Sequence, residues 1–340
     1  MTTEQNPPAA TPDSVIHRFI EANGLRMHFA EIGSGPLVVL CHGFPELWYS
    51  WRYQLPALAQ AGYHAVAPDL RGYGQTAQPA DNATYSLLHL VGDLVGLLDV
   101  LGEQQAILIS HDWGSNLAWH AALLRPDRFP ALVVMSVPYI PRPPLHGELA
   151  TLAPTESWRR TFKGQNFYQL YFQEPGVAEA ELERDVRATM LRFLYGASGA
   201  VPANARWLPA APANQGCAFL DQLALPSELP SWLSAEDLDY YTAEFTRTGF
   251  RGGLNWYRNV DRNWELLAAY SGAPVTRPTL FLWGDNDPSL ALPGIEKRIA
   301  KMQQVVPNLR QFLLPGCGHW VQQERAQEVN QAVLAFLRGL

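Results

Sequence analysis

An aspartate stands between a predicted strand and a predicted helix, in the run Ser110-His111-Asp112-Trp113-Gly114. The apolar residues 106–110 are typical of a buried strand, and the alanine- and leucine-containing residues 116–120 are typical of a helix. A sharp strand-to-helix turn needs small flanking residues and exposes its central side chain. Ser110 and Gly114 supply the small positions, so Asp112 is predicted to be a nucleophile. By itself, an Asp after a strand would more often only cap the next helix. The partner residues described below favour the nucleophile instead.

The chemistry of a carboxylate nucleophile determines what else the site needs. A carboxylate is ionised at neutral pH and attacks without the base that a Ser hydroxyl requires. Its target would be an alkyl carbon with a leaving group, and the product would be an alkyl ester of Asp112. That ester is stable until water is activated, so a histidine oriented by an acid is expected as well.

Of the nine histidines, His319 has the context expected for this base. It lies in Gly316-Cys317-Gly318-His319-Trp320, after the last predicted strand and before the last predicted helix. A glycine-flanked loop at the carboxyl end of a strand can reach a site there. We expect His111 to be a packing residue and His42 to brace the loop around it.

The acid is expected in Trp283-Gly284-Asp285-Asn286-Asp287-Pro288, which follows a predicted strand at 279–283. Asp285 comes directly after the strand and is expected to form the turn. Asp287 projects further out and is favoured as the partner of His319. Asp285 stays open as the alternative.

Hydrolysis of the ester passes through a tetrahedral oxyanion, which needs hydrogen-bond donors. The expected donors are the backbone N–H groups of Phe44 and Trp113. Both side chains are large aromatics and are expected to contribute to an apolar substrate-binding pocket.

The elements that must position these residues alternate along the chain. Strands are predicted at 15–22, 25–32, 37–41, 64–68, 106–110, 131–137, 279–283 and 311–314, and helices at 51–61, 87–101, 293–305 and 322–340, with one more after Asp112. Asn23-Gly24 predicts a hairpin between the first two strands. The alternation predicts an α/β fold with a mostly parallel sheet flanked by helices.

Residues 138–264 interrupt the alternation and are rich in Pro, Trp, Tyr and helical patches. An interruption of this length is too long for a loop in a compact domain. It enters at the carboxyl end of a strand, where open α/β sheets bind ligands. We therefore expect a flexible tail at 1–14, a core formed by 15–137 and 265–340, and a helical cap at 138–264.

Composition narrows the class of protein. A net charge of −7 on 340 residues argues against nucleic acid or an anionic membrane as a partner. Three cysteines without CxxC spacing favour neither disulfides nor zinc, and we predict no metal and no cofactor.

Without a signal-peptide core or a span of roughly 18 apolar residues, a soluble cytoplasmic protein is expected. The oligomeric state is open, with a homodimer as one alternative.

Several motifs together resemble the soluble epoxide hydrolase family of α/β-hydrolases. They are His42-Gly43-Phe44-Pro45-Glu46, Asp69-Leu70-Arg71-Gly72-Tyr73-Gly74, the Asp112 turn and Gly318-His319-Trp320. Within the predicted cap, residues 167–179 and Asn255-Trp256-Tyr257-Arg258-Asn259 resemble the two lid motifs of the family. The resemblance implies the α/β-hydrolase fold and the opening of an apolar epoxide to a vicinal diol, with water as the second substrate.

In that family two lid tyrosines hold the epoxide oxygen, and Tyr168 and Tyr257 occupy the matching positions. A phenol is protonated at neutral pH and can donate a hydrogen bond, then a proton, to the alkoxide formed by ring opening. Tyr171 is expected to be a core residue of the cap. Ser110 stands where the family usually has Gly.

A haloalkane or fluoroacetate dehalogenase is the nearest alternative, because it would share the Asp, the His and the acid. Against it, Glu46 replaces the Asn expected in many dehalogenases, and paired tyrosines are superfluous for halide loss. A Ser esterase is disfavoured because Gly-x-Ser-x-Gly is absent. A non-catalytic receptor with this fold is a remote alternative, which would be expected to lack one of the reacting groups. The preferred epoxide and the enantioselectivity do not follow from the sequence.

Overall fold

A computed structural model of the protein describes residues 15–143, 152–212 and 218–340. The predicted tail at 1–14 lies outside the described residues.

The centre of the described structure is a mostly parallel sheet. The strands are β1 (Ile16–Ala22), β2 (Leu25–Ile32), β3 (Leu37–Cys41), β4 (His64–Pro68), β5 (Ile107–His111), β6 (Leu132–Met135), β7 (Gln165–Phe167), β8 (Ala210–Pro212), β9 (Thr279–Gly284) and β10 (Leu309–Leu314). Eight of them form one sheet in the order β1-β2-β4-β3-β5-β6-β9-β10, while β7 and β8 pair separately. The pairs β1–β2 and β2–β4 are antiparallel and the others in the large sheet are parallel. The predicted α/β class is confirmed.

Helices cover the sheet and also form the insertion. They are α1 (Gln54–Gln60), α2 (Leu87–Leu101), α3 (Trp113–Leu124), α4 (Pro154–Thr161), α5 (Tyr168–Tyr171), α6 (Val177–Leu182), α7 (Val186–Gly196), α8 (Ala235–Thr248), α9 (Arg251–Tyr257), α10 (Val260–Leu266), α11 (Ile295–Lys301), α12 (Val321–Glu324) and α13 (Ala326–Leu337). The run from α4 to α10 lies between β6 and β9. We call the described residues from α4 to α10 the cap. The predicted bounds of the insertion at 138 and 264, and the core of 15–137 and 265–340, stay predictions.

Three helices are shorter than the sequence pattern suggested. The helix expected at 51–61 begins at Gln54, since an unbroken helix would press the Pro56 ring against the carbonyl of Arg52. The helix expected at 322–340 is divided at Arg325, whose φ of −130° and ψ of 45° are not helical. The helix expected at 293–305 ends at Lys301 and continues as a 3-10 turn.

The central strands are buried on both faces of the sheet. In β3 every residue is buried, with Val38 and Leu40 in one apolar cluster and Val39 and Cys41 in another. Successive side chains of a strand point to opposite faces, so these two clusters are the two layers of the core. Among the described residues, no helix has both the length and the apolar character needed to cross a membrane.

The turn from β5 into α3 brings two backbones into close approach. A Cβ atom built on Gly114 would lie 2.1 Å from the carbonyl oxygen of Cys41 and 2.5 Å from that of His42. The helix therefore begins directly against the end of β3, which fixes the residue before it, Asp112, beside the loop that follows β3.

We expect Gly114→Ala to lower the free energy of unfolding by about 1–3 kcal/mol, because backbone atoms cannot move away from the added methyl as a side chain could. The control is Gly92→Ala in α2, where the nearest atom is the end of the Asn23 side chain. Urea unfolding measures both. Equal stability of the Gly114 variant and the wild type would contradict the close packing described for this turn.

Candidate active site

Asp112 lies at the end of β5 in a backbone conformation that residues other than glycine rarely adopt. Its φ is 50° and its ψ is −119°. Although it occupies the N-cap position of α3, its side chain accepts no capping hydrogen bond there. Instead Oδ1 accepts a hydrogen bond of 2.8 Å from the backbone N–H of Phe44. The side chain is thus turned away from the helix and toward the loop after β3.

The imidazole of His319 lies between two carboxylates. Nε2 is 3.4 Å from Oδ2 of Asp112, and Nδ1 is 2.9 Å from Oδ2 of Asp287. Asp285 is engaged elsewhere, since its Oδ1 accepts a hydrogen bond of 2.6 Å from the N–H of Gly316. The structure brings together Asp112, His319 and Asp287, while Asp285 braces the loop before His319.

Electrostatics keep this group charged. Burial raises the pKa of Asp112, but the hydrogen bond and charge of His319 outweigh it and the net shift is downward. Burial likewise raises the pKa of Asp287, and the charge of His319 reverses that effect. Burial lowers the pKa of His319, yet the charge of Asp287 and the hydrogen bonds to both carboxylates raise it well above its ordinary value. At neutral pH the group is two carboxylates around one imidazolium.

A second buried ion pair supports the site, and the sequence reasoning missed it. Nδ1 of His111 lies 2.6 Å from Oε2 of Glu46, and Nε2 lies 2.8 Å from the carbonyl oxygen of His319. Burial raises the pKa of Glu46, but the charge of His111 lowers it overall, so Glu46 is ionised. One ring nitrogen of His111 thus faces the Glu46 carboxylate and the other faces the main chain of His319. His111 therefore connects Glu46 to the His319 main chain, rather than only packing as expected.

His42 braces the loop after β3, as expected. Its Nδ1 donates to the carbonyl oxygen of Gly43 at 2.9 Å, and its Nε2 accepts from the N–H of Leu70 at 3.0 Å. These bonds join the loop that carries the Phe44 N–H to the segment after β4. The position of the Phe44 N–H, which donates to Asp112, is therefore fixed by the hydrogen bonds of His42.

Two cap tyrosines face Asp112 from the other side. Tyr168 begins α5 and Tyr257 ends α9, and their ring centroids are 6.1 Å apart. The Tyr257 ring is 5.0 Å from that of Trp113 and 5.5 Å from that of Phe44. Burial raises the pKa of Tyr168, and burial together with the charge of Asp112 raises that of Tyr257. Both phenols are therefore protonated at neutral pH.

Tyr171 is directed elsewhere. Its hydroxyl donates to Glu181 at 2.5 Å, and its ring stacks on Phe219. It belongs to the packing of the cap, as the sequence suggested. Ser115, the serine nearest the turn, is also engaged: its Oγ donates to the carbonyl oxygen of Met135 at 2.8 Å.

Two cavities meet at Asp112, and both include Tyr168 and Tyr257. One of about 330 Å³ follows α3 and α10, and aromatic and aliphatic side chains such as Trp158 and Leu267 dominate its wall. The other, of about 200 Å³, is lined by His319 and by apolar residues that include Phe172, Trp207 and Leu292. In the described ranges no cluster of three or more His, Cys, Asp and Glu side chains is arranged to hold a metal ion.

Comparison with known proteins agrees with this geometry. A family described as alpha/beta hydrolase fold matches residues 36–326. Epoxide hydrolase A of Mycobacterium tuberculosis is 46% identical and the match covers 95% of this chain and 97% of the relative. Epoxide hydrolase 1 of Siraitia grosvenorii is 43% identical over 96% of this chain and 99% of the relative.

A solved structure gives the same result in three dimensions. The crystal structure of epoxide hydrolase A from Mycobacterium thermoresistibile superposes with a TM-score of 0.88 at 49% identity, covering 96% of this chain and 99% of that one. The chain therefore belongs to the epoxide hydrolase family of the α/β-hydrolase superfamily.

Proposed function

We propose that the protein opens apolar epoxides to vicinal diols through a covalent ester on Asp112. The observation that supports this proposal is the set of groups around Asp112. The ionised carboxylate shares its cavity with the protonated phenols of Tyr168 and Tyr257. It also lies beside His319, which is paired with Asp287. We also propose that residues 138–264 act as the cap that supplies the tyrosines, and that 15–137 and 265–340 supply the other groups.

In the first step Asp112 attacks a ring carbon. Its Oδ1 is held by the Phe44 N–H, which leaves Oδ2 as the attacking atom. A bond forms between Oδ2 and the carbon while the bond from that carbon to the ring oxygen breaks. The electron pair remains on the oxygen, and a proton from Tyr168 or Tyr257 converts it to a hydroxyl.

Formation of the ester changes the protonation of His319. Esterified Asp112 has no charge, so one of the interactions that raise the pKa of His319 is lost. The imidazolium therefore releases its proton more readily, and that proton restores the phenol. Alkylation thus converts His319 into a base at the stage where a base is required.

In the second step His319 accepts a proton from water, and the hydroxide attacks Cγ of the ester. The oxyanion is stabilised by the N–H groups of Phe44 and Trp113. The bond from Cγ to the former Oδ2 then breaks, and the hydroxyl of the tetrahedral intermediate gives its proton to the departing oxygen, so that the diol leaves with the former Oδ2. Asp112 ends as a carboxylate and His319 as an imidazolium, which is the starting state.

The cavity walls favour apolar substituents on the epoxide, because apolar side chains dominate both walls beyond the reacting groups. We retain cytoplasmic localisation as a prediction. Whether the protein acts as a monomer or a homodimer stays open.

His319→Gln should accumulate the ester, because the attack by Asp112 needs no base while hydrolysis does. With trans-stilbene oxide we expect one burst of alkylation followed by arrest, and intact-mass analysis should show the protein heavier by one substrate molecule. Asp112→Ala should show neither label nor turnover, and His89→Gln should behave like the wild type. Steady turnover by His319→Gln would remove His319 from the role of base.

Asp287→Asn should lower the pKa of His319, because the charge of Asp287 is the largest influence that raises it. The same variant should slow ester hydrolysis more than alkylation, since Asp287 orients and charges the imidazole. NMR titration of the His319 ring protons measures the pKa directly. Asp285→Asn is the matched control, and a larger effect from it than from Asp287→Asn would transfer the role to Asp285.

Tyr168→Phe and Tyr257→Phe should each slow alkylation by roughly 10- to 150-fold, because each removes a bond to developing negative charge that contributes about 1.5–3 kcal/mol. The double variant should be nearly inactive, with effects that do not add. Hydrolysis of a preformed ester should be largely unchanged. Tyr171→Phe is the control, and stopped-flow measurements separate the steps. Normal alkylation by the double variant would exclude both tyrosines and favour the dehalogenase alternative.

A further inference from the structure

The loop that carries His319 is bonded to the last turn of α7 and to the cap segment that follows it. The N–H of His319 donates to the carbonyl oxygen of Ala197 at 2.9 Å. The indole N–H of the next residue, Trp320, donates to the carbonyl oxygen of Leu194 at 2.8 Å. The main chain of the base is thus attached to the cap as well as to the core.

The two segments cross at a pair of glycines. A Cβ atom on Gly199 would lie 2.2 Å from the carbonyl oxygen of Gly316, and one on Gly318 would lie 2.2 Å from the nitrogen of Gly199. Neither position has space for a side chain. The backbones therefore touch at the residue directly before His319.

A half-buried carboxylate joins the segments at this crossing. Oε2 of Glu324 accepts hydrogen bonds from the N–H of Gly199 at 2.8 Å and from the N–H of Gly318 at 3.0 Å. Its Oε1 accepts one from the N–H of Trp320 at 3.1 Å. Burial raises the pKa of Glu324, and the three N–H donors oppose that effect. A single side chain at the end of α12 therefore holds both flanks of His319 and the cap segment over them.

We propose that Glu324 is a positioning residue for His319. The Glu324 carboxylate ties the cap at Gly199 to the loop that orients the imidazole. The inference rests on the proposed role of His319 as the base and adds the group that holds it in place. A small displacement of a reacting group is costly even when its chemistry is intact. Loss of Glu324 should therefore affect ester hydrolysis, which needs His319, and spare alkylation, which does not.

Glu324→Gln is the sharpest substitution, because the shape is kept while one acceptor oxygen becomes an NH₂ group that faces an N–H donor. We expect the rate of ester hydrolysis to fall by roughly 10- to 100-fold. Alkylation, measured in the same single-turnover experiment with trans-stilbene oxide, should equal that of the wild type. The ring-proton signals of His319 should shift, while those of His120 stay in place.

The matched control is Glu328→Gln, four residues further on, where an exposed carboxylate contacts Arg325; it should change neither rate. Gly199→Ala tests the same contact from the cap and should reproduce the selective loss of hydrolysis. Because the two changes disrupt one contact, the double variant should be less impaired than the product of the single effects. If Glu324→Gln does not fold, Glu324→Asp and Gly199→Ala carry the test.

Equal losses in alkylation and hydrolysis would overturn the proposal, as would a lower melting temperature with both rates intact. Absence of alkylation in the wild type with every epoxide would refute the proposed function instead. The NMR signals of His319 do not depend on turnover, so an unchanged His319 environment in Glu324→Gln would separately refute the positioning role.

Discussion

Two carboxylates, Asp112 in the wall of the cavities and the buried Asp287, share one imidazolium, and much of the fold serves that arrangement. Removing charges from water costs several kcal/mol for each ion unless partners compensate. Asp112 receives the N–H of Phe44, and Asp287 receives the N–H of Ser289 at 2.8 Å. The three charged residues follow β5, β9 and β10. A parallel sheet brings these carboxyl ends to one edge, which is why a single His can serve both acids.

Beneath this group lies a second ion pair, Glu46 and His111, and the His111 ring lies 4.7 Å from the His319 ring, centroid to centroid. Glu46 accepts from His111, from the N–H of Gly43 and from Gln322. His111 passes the connection on to the carbonyl oxygen of His319, which also accepts from the hydroxyl of Ser136. The main chain of His319 is thus restrained from the core below, through carbonyl contacts, and from the cap above, through its N–H. The position of the His319 main chain is therefore fixed by both parts of the structure.

Sequence reasoning selected residues that meet in the structure where a candidate residue lies directly at an element boundary. Asp112, Asp287 and His319 each come just after a strand, and strand periodicity is local information. Tyr168 and Tyr257 could be selected only through family resemblance, since nothing in local periodicity says how a cap lies over a sheet. His111 was expected to be a packing residue because the sequence of the turn indicates the direction of its side chain but not the residues that the side chain contacts. Its partner, Glu46, lies 65 residues earlier in the chain, and such pairings are visible only in three dimensions.

The meeting of two cavities at Asp112 has a stereochemical consequence. Displacement from the side opposite the ring oxygen inverts the configuration of the attacked carbon and leaves the other carbon unchanged. An epoxide with different substituents can lie in the two cavities in either of two directions, and each direction presents a different carbon to Oδ2. The configuration of the diol therefore shows in which of the two orientations the epoxide was bound. The relative shapes of the two cavities, rather than the reacting groups, would decide whether a racemic epoxide gives two diols or converges on one.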